Sequence, residues 1–222
     1  MKPYLRLCLA AILLLLSTTG EEATLANIEK SIGYAYLFDD GGQFVSRIDG
    51  VPGGNLVLIR RDGAQDPLIA RFADPVHDPG LLGPSSRLCF VGPDTVRGSL
   101  EKTGVLDPAH HGGIKALWYL AQGSSYGGIL DYSRNGEHDI RDDLFYVTQS
   151  DAGELLVHNH FNYGNYLWGA SARELGVPLF MVILGTHFQN FFGSRTSRWH
   201  LDSADDVRSI RAGFHWNRGQ GR

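Results

Sequence analysis

The sequence predicts an α+β fold with a β-rich N-terminal part and a helical C-terminal half. Two observations carry this expectation. Residues 50–105 hold short β-rich runs separated by turn residues, which is how strands read. Beyond residue 107 apolar side chains recur at helical spacing, and cap and stop residues bracket those stretches. The organisation that follows is a signal peptide over residues 1–20, a β-rich region over 21–106 and a further unit over 107–222.

The chain opens on a leader. Lys2 and Arg6 give a positive start, Leu7 to Leu16 an apolar run, and Ser17-Thr18-Thr19-Gly20 a small, polar exit before Glu21-Glu22. That order predicts export, to the periplasm or beyond the cell. The apolar run is shorter than the ~20 residues a bilayer span needs, so no stable membrane span is expected after cleavage. Cys8 leaves with the leader, and Cys89 alone cannot form an internal disulfide. Stability must then come from a packed core, which some 200 residues can supply. The formal charge of −4 becomes more negative once Lys2 and Arg6 are removed, which argues against broad nucleic-acid binding. Arginines do gather late in the chain (Arg195, Arg198, Arg208, Arg211, Arg218 and Arg222), as a solvated surface or as a tail able to touch an anionic polymer.

Leu25, Ile28 and Ile32 sit at helical spacing and predict a short amphipathic helix. Asn55 to Arg60, Pro67 to Phe72 and Arg87 to Val91 read as strands. Val51-Pro52-Gly53-Gly54, Arg61-Asp62-Gly63 and Asp78-Pro79-Gly80 read as turns. Ile114 to Ala121 is predicted helical, with Gly123 ending it. Leu144 to Val147 and Leu155 to Val157 read as paired strands around Asp151-Ala152-Gly153. Three helices follow: Asn165 to Leu175 with Gly176 as stop, Pro178 to about Phe191, and a last one capped by Asp202 or Ser203 and running to about Gly213.

Three clusters carry the candidate chemistry. In Gly127-Gly128-Ile129-Leu130-Asp131-Tyr132 a glycine-rich loop either aims the Asp131 carboxylate into a cleft or uses it to cap a backbone group. In His158-Asn159-His160-Phe161-Asn162, an extended backbone would point His158, His160 and Asn162 the same way. Those histidines can act as acid and base, bind substrate, or form a structural pair. A metal would need a third ligand from His187, Asp131 or Asp206, which no spacing motif selects, and neither metal nor cofactor is expected. Asn165 falls at a helix start, suited to anion contacts or to plain capping. Asp206 shares the packed face of its helix with Ile210 and Gly213, where a carboxylate needs a partner.

Taken together these blocks resemble the polymorphic-toxin family called bacterial toxin type 44. The matching segments span roughly residues 115–216: Trp118-Tyr119, then Gly127-Gly128-Ile129-Leu130-Asp131-Tyr132, then Gly164-Asn165 with Gly169, then Gln189, and finally Asp202, Asp206, Ile210 and Gly213. The basic residue that follows Asp-Tyr in the family stands one place later here, at Arg134. The resemblance implies an exported effector, and such domains act as nucleases or as wall hydrolases. With export pointing to the envelope, the expectation is a toxin-like hydrolase of peptidoglycan. Asp131, His160 and Asp206 are its acid–base set, and Tyr132, His158, Asn165 and Gln189 hold substrate. The alternatives are an RNase toxin and a non-enzymatic envelope-binding module. The partners implied are a cell-wall polymer or, alternatively, RNA, together with an immunity protein.

Overall fold

The computed structural model describes residues 32–52, 55–73, 82–135, 138–150, 152–185 and 204–216. The expected leader, Leu25 and Ile28 of the expected first helix, the turns expected at 53–54 and 78–80, Asp151, Gln189, His187, Asp202 and Ser203 lie outside the described residues. The fold is α+β, built on one mixed sheet of seven strands. These are β1 (Ile32–Phe38), β2 (Phe44–Pro52), β3 (Leu56–Ile59), β4 (Leu68–Phe72), β5 (Arg87–Phe90), β6 (Leu144–Gln149) and β7 (Leu155–His158). Their spatial order is β2-β1-β3-β4-β7-β6-β5. The late hairpin β6–β7 therefore sits between β4 and β5, so strands from either side of residue 106 share one sheet. Pairing alternates: β1–β2, β3–β4 and β6–β7 are antiparallel, while β1–β3, β4–β7 and β5–β6 are parallel.

The sheet curls. The turn after β1 reaches β5, where Leu88 donates its backbone N–H to the Gly42 carbonyl at 2.8 Å and Gln43 bridges Arg87. Gly42 has φ +76°, and a Cβ there would lie 2.4 Å from the Leu88 carbonyl oxygen, so only glycine fits. Strand alternation then divides the interior into two cores. Phe38, Val57, Ile59, Phe72, Phe145, Val147 and Val157 fill the inside of the curl. Tyr146 and Leu156, at the intervening positions, face the helices.

Those helices are α1 (Pro93–Lys102), α2 (Gly113–Gly123), α3 (His160–Glu174), α4 (residues 179–185) and α5 (Ala204–Phe214). Pro93 opens α1 at the first-turn position that tolerates its missing N–H. The predicted strands 55–60, 67–72 and 87–91, the hairpin, α2 and the start of α4 all occur close to their expected places. Gly176 stops α3 with φ +78°. Three expectations are corrected. Ile32 begins a strand, not a helical turn. Val51 and Pro52 end the long strand β2, not a turn. And α3 starts at His160, five residues before Asn165, because the Asn159 side chain accepts the Asn162 backbone N–H at 2.8 Å and caps it.

Helices α3 and α5 cross at backbone contact. A Cβ on Gly213 would lie 1.8 Å from the Tyr166 carbonyl oxygen, and one on Gly169 2.1 Å from that of Ile210. Overpacking of this kind forces the helices apart. Gly213→Ala should therefore lower the unfolding free energy by about 3 kcal/mol in a urea titration. Gly98, in the middle of α1, has nothing within 4 Å of an added Cβ. Gly98→Ala should raise stability by about 0.5–1 kcal/mol through helix propensity.

Candidate functional site

The chemistry-bearing residues gather around the N-terminal half of α3. On one flank lies the loop that follows α2. Leu130 donates its N–H to the Gly123 carbonyl, and the ideal Cβ of Gly164 meets the Ser133 Cβ at 3.0 Å. Further along the helix, Trp168 Nε1 donates to Ser124 Oγ at 2.6 Å. On the other flank lies α5, held against Gly169 and Tyr166. Asn165 stands between these two flanks, partly exposed. Its Nδ2 donates to Asp206 Oδ1 at 2.5 Å across 41 residues of sequence. That bond gives the carboxylate on the packed face of α5 the partner it requires.

Asp131 is the buried anchor of the loop. Its side chain is 8% exposed. Oδ2 accepts the Gly127 backbone N–H at 2.8 Å, the capping role that the glycine-rich loop also allowed. Oδ1 faces Ser133 Oγ at 3.5 Å and Arg134 at 3.6 Å. The displaced basic residue of the motif thus still reaches the aspartate. Arg134 itself lies between two rings, its Cζ 5.6 Å from the Tyr126 centroid and 6.0 Å from that of Phe161. Arg134, Tyr126 and Phe161 were not assigned a role by sequence; the i, i+3 spacing of Asp131 and Arg134 was the available signal.

His160 goes elsewhere. It lies about 140° around α3 from Asn165 at 3.6 residues per turn. There it lines an open recess of about 410 Å³ with Ser85, Ser86, Asp142, Asp143 and Phe161. Partial burial lowers its pKa, and the Asp142 carboxylate works against that. Phe161 is the side chain common to this recess and the Arg134 cluster.

Tyr132 and His158, expected to bind substrate, are core residues. The Tyr132 hydroxyl is hydrogen-bonded to Ser171 Oγ at 2.7 Å and to Thr103 Oγ1 at 3.3 Å, and burial pushes its pKa up to about 12. His158 closes β7 with no exposed surface. Its Nε2 bonds Thr148 Oγ1 at 2.8 Å and its Nδ1 bonds Ser209 Oγ at 3.1 Å. The three side chains form a buried bridge from β6 through β7 to α5. The shared face expected of His158, His160 and Asn162 does not exist, because the backbone turns helical between the first and the second. Asn162, in the first turn of α3, is itself buried. Among the described residues no three His, Cys, Asp or Glu side chains group to hold a metal, and no helix is long and apolar enough to cross a membrane.

Comparison with protein-family models, curated proteins and solved structures finds no match to this chain. The family resemblance therefore rests on the motif blocks alone.

Burial disfavours the charged imidazole and lowers the His158 pKa to about 3. Its unfolded counterpart titrates near 6.5. Between these values the unfolded chain binds the extra proton, so the stability from neutral His158 is complete above pH 6.5 and declines as pH falls towards 3. His158→Gln should remove this dependence. Denaturation followed against pH should show a slope shallower by ~1.4 kcal/mol per pH unit in that window. Equal slopes for the two proteins would mean that His158 is protonated in the fold.

Proposed function

We propose that this chain is an exported, toxin-like hydrolase of the cell envelope, acting on peptidoglycan at the surface where the 124–134 loop, α3 and α5 come together. The observation that carries the reading is the Asn165–Asp206 hydrogen bond beside the Asp131 loop. Three blocks of the motif, far apart in sequence, meet on one stretch of α3. The amide that satisfies this packed-face carboxylate stands at a partly exposed position and also fixes its orientation, as a reacting carboxylate requires.

Asp206 and Asp131 take the acid–base roles in this reading. Asp206 is reachable and oriented by Asn165. Asp131 sits deeper, bonded to the Gly127 N–H and 3.6 Å from Arg134. Two carboxylates facing one glycosidic bond can divide the work, one protonating the leaving oxygen and the other activating water or attacking directly. His160, turned into its own recess, leaves the acid–base set and lies where it can contact a neighbouring part of the polymer. Tyr132 and His158 support the site from within and do not touch substrate.

The test is to incubate the purified protein with peptidoglycan sacculi and, separately, with RNA. Soluble muropeptides should appear, with Asp206→Ala slowing release at least ~100-fold and Asn165→Ala by about tenfold. RNA cleavage without muropeptide release would replace this reading with the nuclease alternative. That alternative has lost His158 to the core, so it would require cleavage to vanish in His160→Ala.

A further inference from the structure

The geometry points to a second element of the same surface: Arg134, over the rings of Tyr126 and Phe161, is a subsite for a carboxylate-bearing sugar of a glycan chain. This inference rests on the hydrolase reading for its polymer, but its residues lie outside the acid–base pair. Three observations support it.

The first is an incompletely used cation. Arg134 meets Asp131 through one guanidinium nitrogen at 3.6 Å, and its side chain is 52% exposed. A guanidinium offers five N–H donors in a planar fork suited to a carboxylate. Asp131, nearly buried and already accepting from Gly127, leaves most of that fork to a second anion.

The second is exposed aromatic surface. Tyr126 is 89% and Phe161 48% exposed, yet both face the same guanidinium. Neither belongs to a core cluster. Exposed rings of this kind offer flat faces to the C–H side of a sugar, and they hold the cation in place for its ring substituent.

The third is the charge around them. Asp131 lies 3.6 Å from Arg134, and Asp142 lines the recess that Phe161 shares, beside an Asp143 that is paired with Arg141. A phosphodiester chain, with a charge at every unit, would meet these acids repeatedly. A glycan with isolated carboxylates would place one on Arg134 and keep neutral rings elsewhere.

The probe is a peptide-free glycan strand of peptidoglycan, in which the lactyl carboxylate of alternate sugars is free. A chitin oligosaccharide of equal length is the neutral counterpart, and poly(U) the phosphodiester one. Binding is measured by titration calorimetry on the full chain carrying Asp206→Asn, so that turnover does not intervene. The acidic strand should bind at least about tenfold tighter than the chitin oligomer, as expected for one charged hydrogen-bonded pair. Arg134→Ala should erase the preference and Arg134→Lys keep part of it. Tyr126→Ala should weaken both sugars alike. If Arg134→Ala fails to fold, amidating the carboxylates of the strand supplies the same comparison on unaltered protein: the amidated strand should bind like chitin. Equal binding of acidic and neutral strands, or poly(U) binding that depends on Arg134, would overturn the proposal. Arg134-dependent preference without any cleavage of sacculi would sink the hydrolase reading and leave the subsite standing. Cleavage with no such preference would do the reverse.

Discussion

The rest of the structure depends on how closely α3 and α5 approach. With no Cβ at Gly169 or Gly213, each helix lays its backbone against the other's carbonyls. Side chains near the crossing are then held at fixed distances from the opposite helix. Asp206 falls beside Asn165, and Ser209 falls beside His158. One contact lies near the surface and the other ties α5 to the sheet. A residue with any side chain at either glycine would separate both pairs at once. The amide–carboxylate pair on the surface and the imidazole bridge beneath it are thus two results of one steric allowance.

The segment from His158 to Asn162 shows how a short stretch can serve two environments. His158 is the last residue of β7, and its ring points to the helical side of the sheet with both nitrogens bonded. Asn159 caps α3, and His160 is already its first residue. Two histidines separated by one residue therefore lie in unlike surroundings. One is sealed and neutral, while the other borders water. Division of the interior into two cores has the same origin, since β6 and β7 send alternate side chains into the curl and towards the helices.

Much of the fold was legible because local chemistry and tertiary packing agree there. The hairpin between β6 and β7, the stop at Gly176, the Pro178 start and the last helix running to about Gly213 need no distant partner to be read. Strands β1 and β2 were missed because their residues carry little alternation. Tyr34, Val45 and Ile48 are exposed on strands whose inner face fills the curl, so the pattern blurs. The site was half legible for a related reason. Asp206 stood out as a carboxylate on a packed face, and its need for a partner was a correct physical reading. Which residue would meet it depended on the helix crossing, to which Gly169 and Gly213 contribute only as an absence of atoms. Tyr132 and His158 read as substrate contacts because a polar tip on a large side chain looks the same whether it meets water or, as here, Ser171, Thr103, Thr148 and Ser209.

The position of β7 has a consequence for how the molecule is made. Ala70 in β4 pairs with Leu155, so the middle of the sheet waits on a strand synthesised late. Arg87 in β5 likewise waits for Leu144. Pairing strands so far apart in the chain closes large loops, which slows folding. Until the later half is in place the β4 edge has no partner, and the seven-stranded sheet is complete only once β6 and β7 have joined it.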